Sequence, residues 1–245
     1  IFQDGTDVYW ARSRVLEYLS QIQTQLPEGV KTELGPDATG VGWVFQYALR
    51  DPSGRHDPAQ LRSYQDWYLR YYLQAVPGVA EVASIGGFHK QYQVNIDPNA
   101  LVAYNIPLMK VIDAVRDGNN DVGGRLVEFG GKEYMVRGRG YAKSTADLEN
   151  IVVGRDSRGT PILIKALGHV TLGPDIRRGI ADFGGEGETV GGIVVMRHGE
   201  NALDVIRRVK AKLEEVRPSL PPGVEVVTTY DRSELIERAI HTLKS

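Results

Sequence analysis

Side chains able to bind a soft or borderline metal ion are few in this chain and lie far apart. Its 245 residues include three methionines and no cysteine, which excludes disulfides, thiol catalysis and cysteine metal sites. The five histidines are His56, His89, His169, His198 and His241. No two of them are three or four residues apart, the spacing that places two ligands on one helix face. The sequence therefore predicts surface or turn histidines and no histidine metal site.

Methionine is the remaining soft ligand, because its thioether binds Cu(I) and Ag(I). Met109 lies in a predicted helix and Met196 in a predicted strand, where filling gaps in a core is the usual role of methionine. Met135 lies in a predicted hairpin. It is a candidate for a metal path, with packing in a core or interface as the alternative.

Two further stretches look at first like ligand-binding motifs, but neither fits such a motif. The glycine-rich Gly184–Gly192, GGEGETVGG, lacks the Gly-Lys-Ser/Thr ending of a phosphate loop, so a flexible turn is the better prediction. The aromatic run Trp67–Leu73, WYLRYYL, is expected to form a crowded core and subdomain interface rather than a stacking platform. Since no Ser/His/Asp order stands out either, we predict no catalytic residue, no enzymatic activity and no cofactor.

Composition and charge narrow the class of protein further. Apolar residues make up 42% and charged residues 24% of the chain, as in an ordinary globular domain. With a net charge of −2 and no basic stripe, the sequence predicts no nucleic-acid partner. Apolar runs such as GGIVVM are too short to cross a bilayer. The chain opens with IFQDGTD, which is typical of the middle of a strand and its turn, so we expect a piece of a longer polypeptide.

A gapless internal repeat organises the elements around these residues. Shifted along the chain, Phe2–Val30 aligns with Met196–Val224. The identical pairs in this register include Gly5 and Gly199, Arg14 and Arg208, Leu19 and Leu213, Pro27 and Pro221, and Asp37 and Asp231. Both segments predict a strand, a helix with apolar residues at helical spacing, a Pro and Gly stop, and a second strand. The repeat therefore predicts two related strand–helix–strand halves.

A third strand–helix–strand segment lies between the repeats. Val41–Leu49 is rich in strand-forming residues, and Asp57 with Pro58 begins a helix. That helix is predicted to present on one face Leu61, Tyr64, Trp67 or Tyr68, Tyr71 or Tyr72, and Val76. Val41–Gly86 and Gly191–Asp231 then form the two halves of a split βαβ, ferredoxin-like unit, so the fold class is α+β. Ile1–Leu34 is another such half, whose partner is expected upstream of this sequence.

Residues 90–174 form an α+β insertion between the two halves. Asp97 with Pro98 begins one helix, and the next helix is predicted to face inward through Leu108, Val111, Ile112 and Val115. A hairpin that turns at Gly130–Gly131 follows. Its apolar residues are Leu126, Phe129, Tyr134 and Val136, and its basic residues are Arg125, Lys132, Arg137 and Arg139. A long two-faced hairpin either folds onto its own core or reaches into a neighbour, and composition favours neither.

Seven stretches carry a family resemblance that covers essentially the whole chain. They are YWARSRVLEYLSQIQTQLPEGV, ELGPDATGVGWVFQYAL, LRSYQDWYLRYYLQAVPGVAEVASIGG, YQVNIDPNALVAYNIPL, EYMVRGRGY, LGPDIRRGIADFGGEGE and VTTYDRSELIERAIHTL, in this order. With them, the chain resembles the first periplasmic region of heavy-metal efflux pumps of the resistance-nodulation-division (RND) superfamily. It is most similar to the copper/silver subgroup.

The resemblance implies a proton-driven antiporter that works as a homotrimer in the bacterial inner membrane, with this chain on the periplasmic face. Implied partners are metal cations, a periplasmic membrane-fusion adaptor, an outer-membrane channel, and the membrane through segments absent here. The expected domains are residues 1–39, the C-terminal half of the first porter subdomain; 40–89 and 175–231, the halves of the second; 90–174, the docking insertion; and 232–245, the connection towards the second transmembrane helix.

The resemblance also implies roles for individual residues. The hairpin is expected to reach into the next protomer and to contact it through Arg125, Phe129, Tyr134 and Arg137. The porter units are expected to move as rigid bodies about glycine joints at Gly35, Gly40, Gly184 and Gly192. The proton-relay residues and the methionine cluster of the copper/silver pumps lie in regions outside this sequence.

Three alternatives stay open at this point. Copper/silver members tend to carry a methionine directly after the Gly-Pro-acid turn, where this chain has Ile176, so a pump for zinc, cobalt or cadmium remains possible. A free-standing soluble ferredoxin-like binding module is the second alternative, and an apolar segment of about 20 residues after Ser245 would argue against it. The third is a drug-type RND pump for organic compounds, which the stretches ELGPDATGVGW and YQDWYLRY do not resemble.

Overall fold

The computed structural model describes the chain except for residues 28, 131, 139, 177, 178 and 245, and it describes residues 122–127, 129 and 132–138 by their backbone alone. The chain divides into two compact units. The first unit joins Ile1–Phe88 to Arg177–Ser245, and the second unit is His89–Ile176. The insertion predicted at residues 90–174 falls within the second unit, and both repeat segments fall within the first.

Short strands and helices make up both units. The strands are β1 (Trp43–Arg50), β2 (Val79–Gly86), β3 (Lys90–Ile96), β4 (Val122–Phe129), β5 (Lys132–Gly138), β6 (Val152–Arg155), β7 (Pro161–Leu163), β8 (Gly168–Pro174), β9 (Ala181–Asp182), β10 (Glu188–Met196) and β11 (Glu225–Asp231). The α-helices are α1 (Val8–Ile22), α2 (Pro58–Tyr64), α3 (Arg70–Gln74), α4 (Pro98–Ala103), α5 (Leu108–Gly118), α6 (Thr145–Glu149), α7 (Ile164–Leu167), α8 (Ala202–Val216) and α9 (Arg232–Lys244). A π-helical turn, Gln65–Leu69, joins α2 to α3, and 3₁₀ turns at Gln23–Gln25 and Arg217–Ser219 follow α1 and α8.

The sheet of the first unit interleaves strands from both sides of the insertion. Its strand order is β11, β1, β10, β2, with antiparallel pairing throughout, and β9 pairs with the start of β10. The two central strands therefore come from different halves, β1 from before the insertion and β10 from after it. This is the predicted split βαβ, ferredoxin-like arrangement, so the predicted fold class is confirmed.

Two helical segments pack side by side on this sheet and form its core with it. The helices α2 and α3, with the π turn between them, contact β2 and β10, and α8 contacts β1 and α3. Capping fixes where each segment begins, because Asp57 caps α2 with Pro58 at its first position and Asn201 caps α8. The helix residues that are buried in this core include Leu61, Leu69, Leu73, Val205, Ile206, Val209, Leu213 and Val216.

The π turn changes which side chains of the α2–α3 segment face the sheet. Arg70 N–H donates to Gln65 O, a bond one residue wider than in an α-helix. As a result Leu69 is fully buried, while Trp67 is 84% exposed and Tyr71 is also exposed. The predicted core role of the aromatic run was therefore wrong for Trp67 and Tyr71, while its predicted role in a subdomain interface stays a prediction. Tyr64 and Tyr68 do pack against the core, and their rings stack 4.9 Å apart.

The same turn points a polar side chain into the core. Gln65 is fully buried, where Tyr47 Oη donates to Gln65 Oε1 at 2.8 Å and Gln65 Nε2 donates to Ser84 Oγ at 3.3 Å. Burial raises the pKa of Tyr47, so its hydroxyl stays protonated and remains the donor. The buried amide is thus satisfied by β1 and β2 together.

Helix α1 differs from its repeat counterpart α8 in how it packs. Asp7 caps α1 by accepting from Trp10 N at 2.7 Å. Yet no residue of α1 is buried within the described part of the chain. Val209 and Leu213 of α8 are buried, whereas the equivalent Val15 and Leu19 of α1 are only half-buried.

The second unit is built from antiparallel strand pairs and short helices. Within its described residues, β3 pairs with β8, β4 with β5 and β6 with β7. Its core consists of Ile106, Val111, Leu148, Val153, Ile162, Ile164, Leu167 and Val170. Leu108 and Ile112 were predicted to face inward on α5, but both are exposed.

Helix α9 ends the described chain and contacts α8 and β1. At its start, Ser233 is buried and Arg232 Nη1 donates to Val41 O at 2.6 Å. Further along, α9 exposes Leu235 and Leu243. Among the residues that the structure describes, no helix is long and apolar enough to span a membrane.

Candidate functional site

The described residues contain no cluster of three or more histidine, aspartate or glutamate side chains that could hold a metal ion. The sequence predicted surface or turn histidines, and four of them are exposed: His89, His169, His198 and His241. His56 differs, because it is half-buried and its Nδ1 lies 3.0 Å from Asp51 Oδ2.

The Asp51–His56 pair is best explained as a turn that closes the end of β1. Asp51 also accepts hydrogen bonds from Ser53 N, Ser53 Oγ and His56 N. The bond from the Ser53 hydroxyl lowers the pKa of Asp51 well below its usual range, burial opposes this, and the bonds from His56 add to it. All of these partners lie within five residues, so the carboxylate organises its own turn.

The predicted metal-path and protomer-contact residues lie on the hairpin of β4 and β5. The backbone pairs Phe129 with Lys132, which confirms the predicted hairpin. It also pairs Leu126 with Met135. The side chains of Arg125, Phe129, Tyr134, Met135 and Arg137 lie outside the described part of the structure. Of the other methionines, Met109 is exposed and Met196 packs against the core of the first unit.

The four predicted hinge glycines fall in different surroundings. Gly35 and Gly40 lie between α1 and β1, with open space where a side chain would be. Gly184 lies in the turn before β10 at a φ of +63°. Gly192, in contrast, is inside β10 and pairs with Tyr47 on one side and Ser84 on the other. Because a backbone rotation there would break both ladders, we confine the proposed hinge to Gly35, Gly40 and Gly184.

The segment that joins α1 to β1, residues 31–42 (the connecting segment), is fastened through Asp37. The Asp37 carboxylate is 10% exposed, and its Oδ2 accepts from Arg197 Nη1 at 3.0 Å and from Tyr9 Oη at 3.2 Å. Its backbone oxygen accepts from His198 N at 2.9 Å. One residue therefore binds α1, through Tyr9, and the end of β10, through Arg197.

An open cleft of about 800 Å³ lies beside Asp37. Its lining includes Arg12, Glu33, Arg70, Glu81 and Arg197. Arg12 Nη2 donates to Gly35 O at 2.7 Å, a second contact between α1 and the connecting segment. Arginines alternate with carboxylates along this lining, so the cleft does not provide the uniformly anionic surface that would attract a cation.

The repeat is the sequence signal that could have identified Asp37, since Asp37 aligns with Asp231. The Asp231 side chain is 6% exposed, forms an ion pair with Lys210 of α8 and accepts from Ser233 N at 2.9 Å. Both acids of the repeat are therefore nearly buried and paired with a cation. Their partners differ, because Lys210 lies on the helix of the same half and Arg197 does not.

Asp231→Asn is expected to lower the free energy of unfolding at pH 7 by about 1.5–3 kcal/mol, the range for a hydrogen bond to a charged group. Burial alone would raise the pKa of Asp231, but the bonds from Lys210 and Ser233 outweigh it and the net pKa is lowered. A carboxylate with a lowered pKa contributes stability above its unfolded pKa of about 3.9 and loses it as the pH falls further. Urea titrations from pH 7 down to pH 3 should thus show the difference between variant and wild type shrinking below about pH 4.

The matched control for that titration is Glu214→Gln. Glu214 is an exposed residue of α8 that pairs with Arg217, and an exposed pair contributes little. A stability difference for Asp231→Asn that stayed constant down to pH 3 would contradict the assigned role of its charge.

Comparison with known proteins identifies the family. The model described as the AcrB/AcrD/AcrF family matches residues 1–245. The chain belongs to the AcrB/AcrD/AcrF family. Membership confirms the predicted relation to the RND superfamily.

Relatives within the AcrB/AcrD/AcrF family include cation efflux proteins. The chain is 55% identical over 245 residues to the putative cation efflux system protein SilA of Salmonella typhimurium, covering 100% of this chain and 23% of SilA. It is 56% identical over 243 residues to the cation efflux system protein CusA of Escherichia coli (strain K12), covering 99% and 23%. It is 39% identical over 251 residues to the cobalt-zinc-cadmium resistance protein CzcA of Cupriavidus metallidurans, covering 100% and 23%.

A solved structure agrees with these relatives of the AcrB/AcrD/AcrF family. A crystal structure of a heavy metal efflux pump superposes with a TM-score of 0.89 at 33% identity, covering 100% of this chain and 24% of that one. The chain thus spans less than a quarter of the length of these proteins.

Proposed function

We propose that this chain is a periplasmic segment of a proton-driven, trimeric inner-membrane transporter that exports heavy-metal cations, with copper and silver as its substrates. The observation that carries the proposal is the 55–56% identity to SilA and CusA along essentially the whole chain, against 39% to CzcA. By the same relation, the full transporter works with a periplasmic adaptor and an outer-membrane channel. We propose no catalytic role for any residue of the chain.

Within that transporter, the chain divides as the resemblance implies. Residues 40–89 and 175–231 are the second porter subdomain, which the interleaved sheet supports. Residues 90–174 are the docking insertion, supported by the separate second unit. Residues 1–39 are half of the first porter subdomain, supported by the absence of buried residues in α1. Residues 232–245, most of α9, lead towards the membrane.

The hairpin and the glycine joints are the moving and contacting parts of the proposal. Arg125, Phe129, Tyr134 and Arg137 contact the next protomer, and Met135 lies near the metal path. The porter halves move about Gly35, Gly40 and Gly184. The open surroundings of Gly35 and Gly40 support such motion, because a side chain at either position would meet no atom within 4 Å.

The full-length polypeptide that contains this chain is expected to raise the copper and silver tolerance of a bacterium that lacks its own exporters of these metals. Growth is measured against graded copper, silver, zinc, cobalt and cadmium, with membrane abundance followed by immunoblot. A Gly192→Val variant serves as a control, because its core should not pack. Unchanged silver and copper tolerance at normal abundance would overturn the proposal.

Zinc, cobalt or cadmium export is the second candidate, and Ile176 favours it. Ile176 lies after Gly173, Pro174 and Asp175 and is exposed, yet it offers no thioether to a soft ion. Higher tolerance to zinc, cobalt or cadmium, without a change for silver, would support this candidate against the first.

A further inference from the structure

The connecting segment is hydrogen-bonded on one side to α1 and on the other side to the residues that follow β10. On one side, Tyr9 and Arg12 of α1 donate to Asp37 Oδ2 and Gly35 O, so residues 35–37 are attached to α1. On the other side, Arg197 Nη1 and His198 N donate to Asp37 Oδ2 and Asp37 O. Asp37 is thus the residue at which the α1 side meets the sheet.

Arg197 is itself anchored to the sheet. Its Nε donates to Val79 O at 3.2 Å, and its backbone N–H donates to Gly78 O at 2.9 Å. The guanidinium therefore links the ends of β2 and β10 before it reaches Asp37. The Asp37–Arg197 ion pair therefore connects α1 to the sheet.

The internal repeat shows that this pairing departs from the pattern of its counterpart. Asp231 finds its cation, Lys210, on the helix of its own half. The position of α1 that aligns with Lys210 is Leu16, which has no charge to offer. Asp37 instead takes its cation from the other half. Asp231 therefore forms its ion pair within its own half, whereas the equivalent Asp37 forms an ion pair between two halves.

The connecting segment is fixed again a few residues further on, with a glycine in between. Gly42 O accepts from Met196 N at 2.7 Å, and a side chain at Gly42 would press on Met196 O and Thr39 O. Gly40 lies between Asp37 and this second fixed point, in open surroundings. Gly40 itself lies in the turn that Gly42 N closes by donating to Thr39 O at 2.8 Å, so release at Asp37 would leave this turn as the pivot.

We propose that the Asp37–Arg197 ion pair, together with the bond from His198 N to Asp37 O, is a latch that holds α1 and residues 35–37 against the sheet when closed, and that frees them to turn about Gly40 when open. Only the consequence of this latch for transport rests on the proposed function. Arg197 is 46% exposed, so the pair is weak enough to open. Pairs of this kind shift an equilibrium by about two- to fivefold.

A distance measurement between α1 and α8 tests the latch in the full-length polypeptide. The chain has no cysteine, so Gln21→Cys on α1 and Ala211→Cys on α8, both exposed, place two spin labels in it, in a background without other reactive cysteines. Asp37→Asn should raise the population of long distances about two- to fivefold. Arg197→Gln should do the same. The double variant should be no more open than either single variant, because both remove one interaction.

The matched control is Glu17→Gln, which breaks the exposed Arg14–Glu17 pair within α1 and should leave the distances unchanged. Distances in Asp37→Asn that equal those of the wild type would overturn the latch. So would additive effects of Asp37→Asn and Arg197→Gln, since two independent contacts add.

Metal tolerance of the same variants separates the latch from the proposed function. Reduced silver tolerance in Asp37→Asn with unchanged distances overturns the latch and leaves the transporter proposal intact. A wild type that confers no metal tolerance overturns the transporter proposal, while the distance measurement still decides the latch.

Discussion

Leu69→Ala is expected to lower the free energy of unfolding by about 2–5 kcal/mol, the range for truncating a buried leucine. Leu69 has no exposed surface and lies in the π turn, where it packs in the core that α2, α3 and α8 form over the sheet. Its removal would leave a cavity that these elements cannot fill without moving. Denaturant titration of the purified chain, followed by circular dichroism, measures the loss.

Trp67→Ala is the matched control for that experiment. Trp67 lies in the same turn, two residues before Leu69, and is mostly exposed. It should change the free energy of unfolding by no more than about 0.5 kcal/mol, as is usual for surface substitutions. If Trp67→Ala were the more damaging of the two, the π turn would be misplaced and the regular helix predicted from the sequence would be correct.

Gly192→Ala is expected to destabilise the chain by about 2–6 kcal/mol through two effects on Tyr47. A methyl group at Gly192 would overlap the ring and hydroxyl of Tyr47, and overpacking of a core costs about 1–3 kcal/mol. If the ring moves away, Gln65 Oε1 loses its buried donor, which costs about 1–3 kcal/mol more. The same titration gives the combined loss.

Gly40→Ala is the matched control for Gly192→Ala. A methyl group at Gly40 meets no atom within contact distance, so its effect should stay within about 0.5 kcal/mol. Tyr47→Phe in the Gly192→Ala background tests the mechanism, because it removes the hydroxyl that is crowded. Full stability of Gly192→Ala would contradict the close approach of Gly192 to Tyr47.

The repeat makes a large part of this architecture readable in advance. Asp7, Asp57 and Asn201 lie at helix starts because their side chains cap the nearest backbone N–H groups, and that interaction spans two or three residues. The split pairing of β1 with β10 also follows, because two strand–helix–strand halves with apolar faces leave few other ways to bury those faces.

The sequence by itself therefore determined the Asp57 cap, the two halves of the split sheet, the fold class and the family, since each depends on local spacing or on stretches of contiguous residues. The strands predicted on either side of α1 are not found among the described residues there, so the first repeat segment matches its counterpart only in the helix and the turn after it. Only the tertiary structure decided that Leu69 is buried and Trp67 is not, because a π turn changes which side chains of the helix face the sheet. In the same turn, Gln65 accepts a hydrogen bond from the buried Tyr47. Only the tertiary structure showed that Asp37 pairs with Arg197 and that Gly192 faces Tyr47. These contacts join residues more than a hundred positions apart, and no local pattern specifies which distant side chain a folded chain brings within reach.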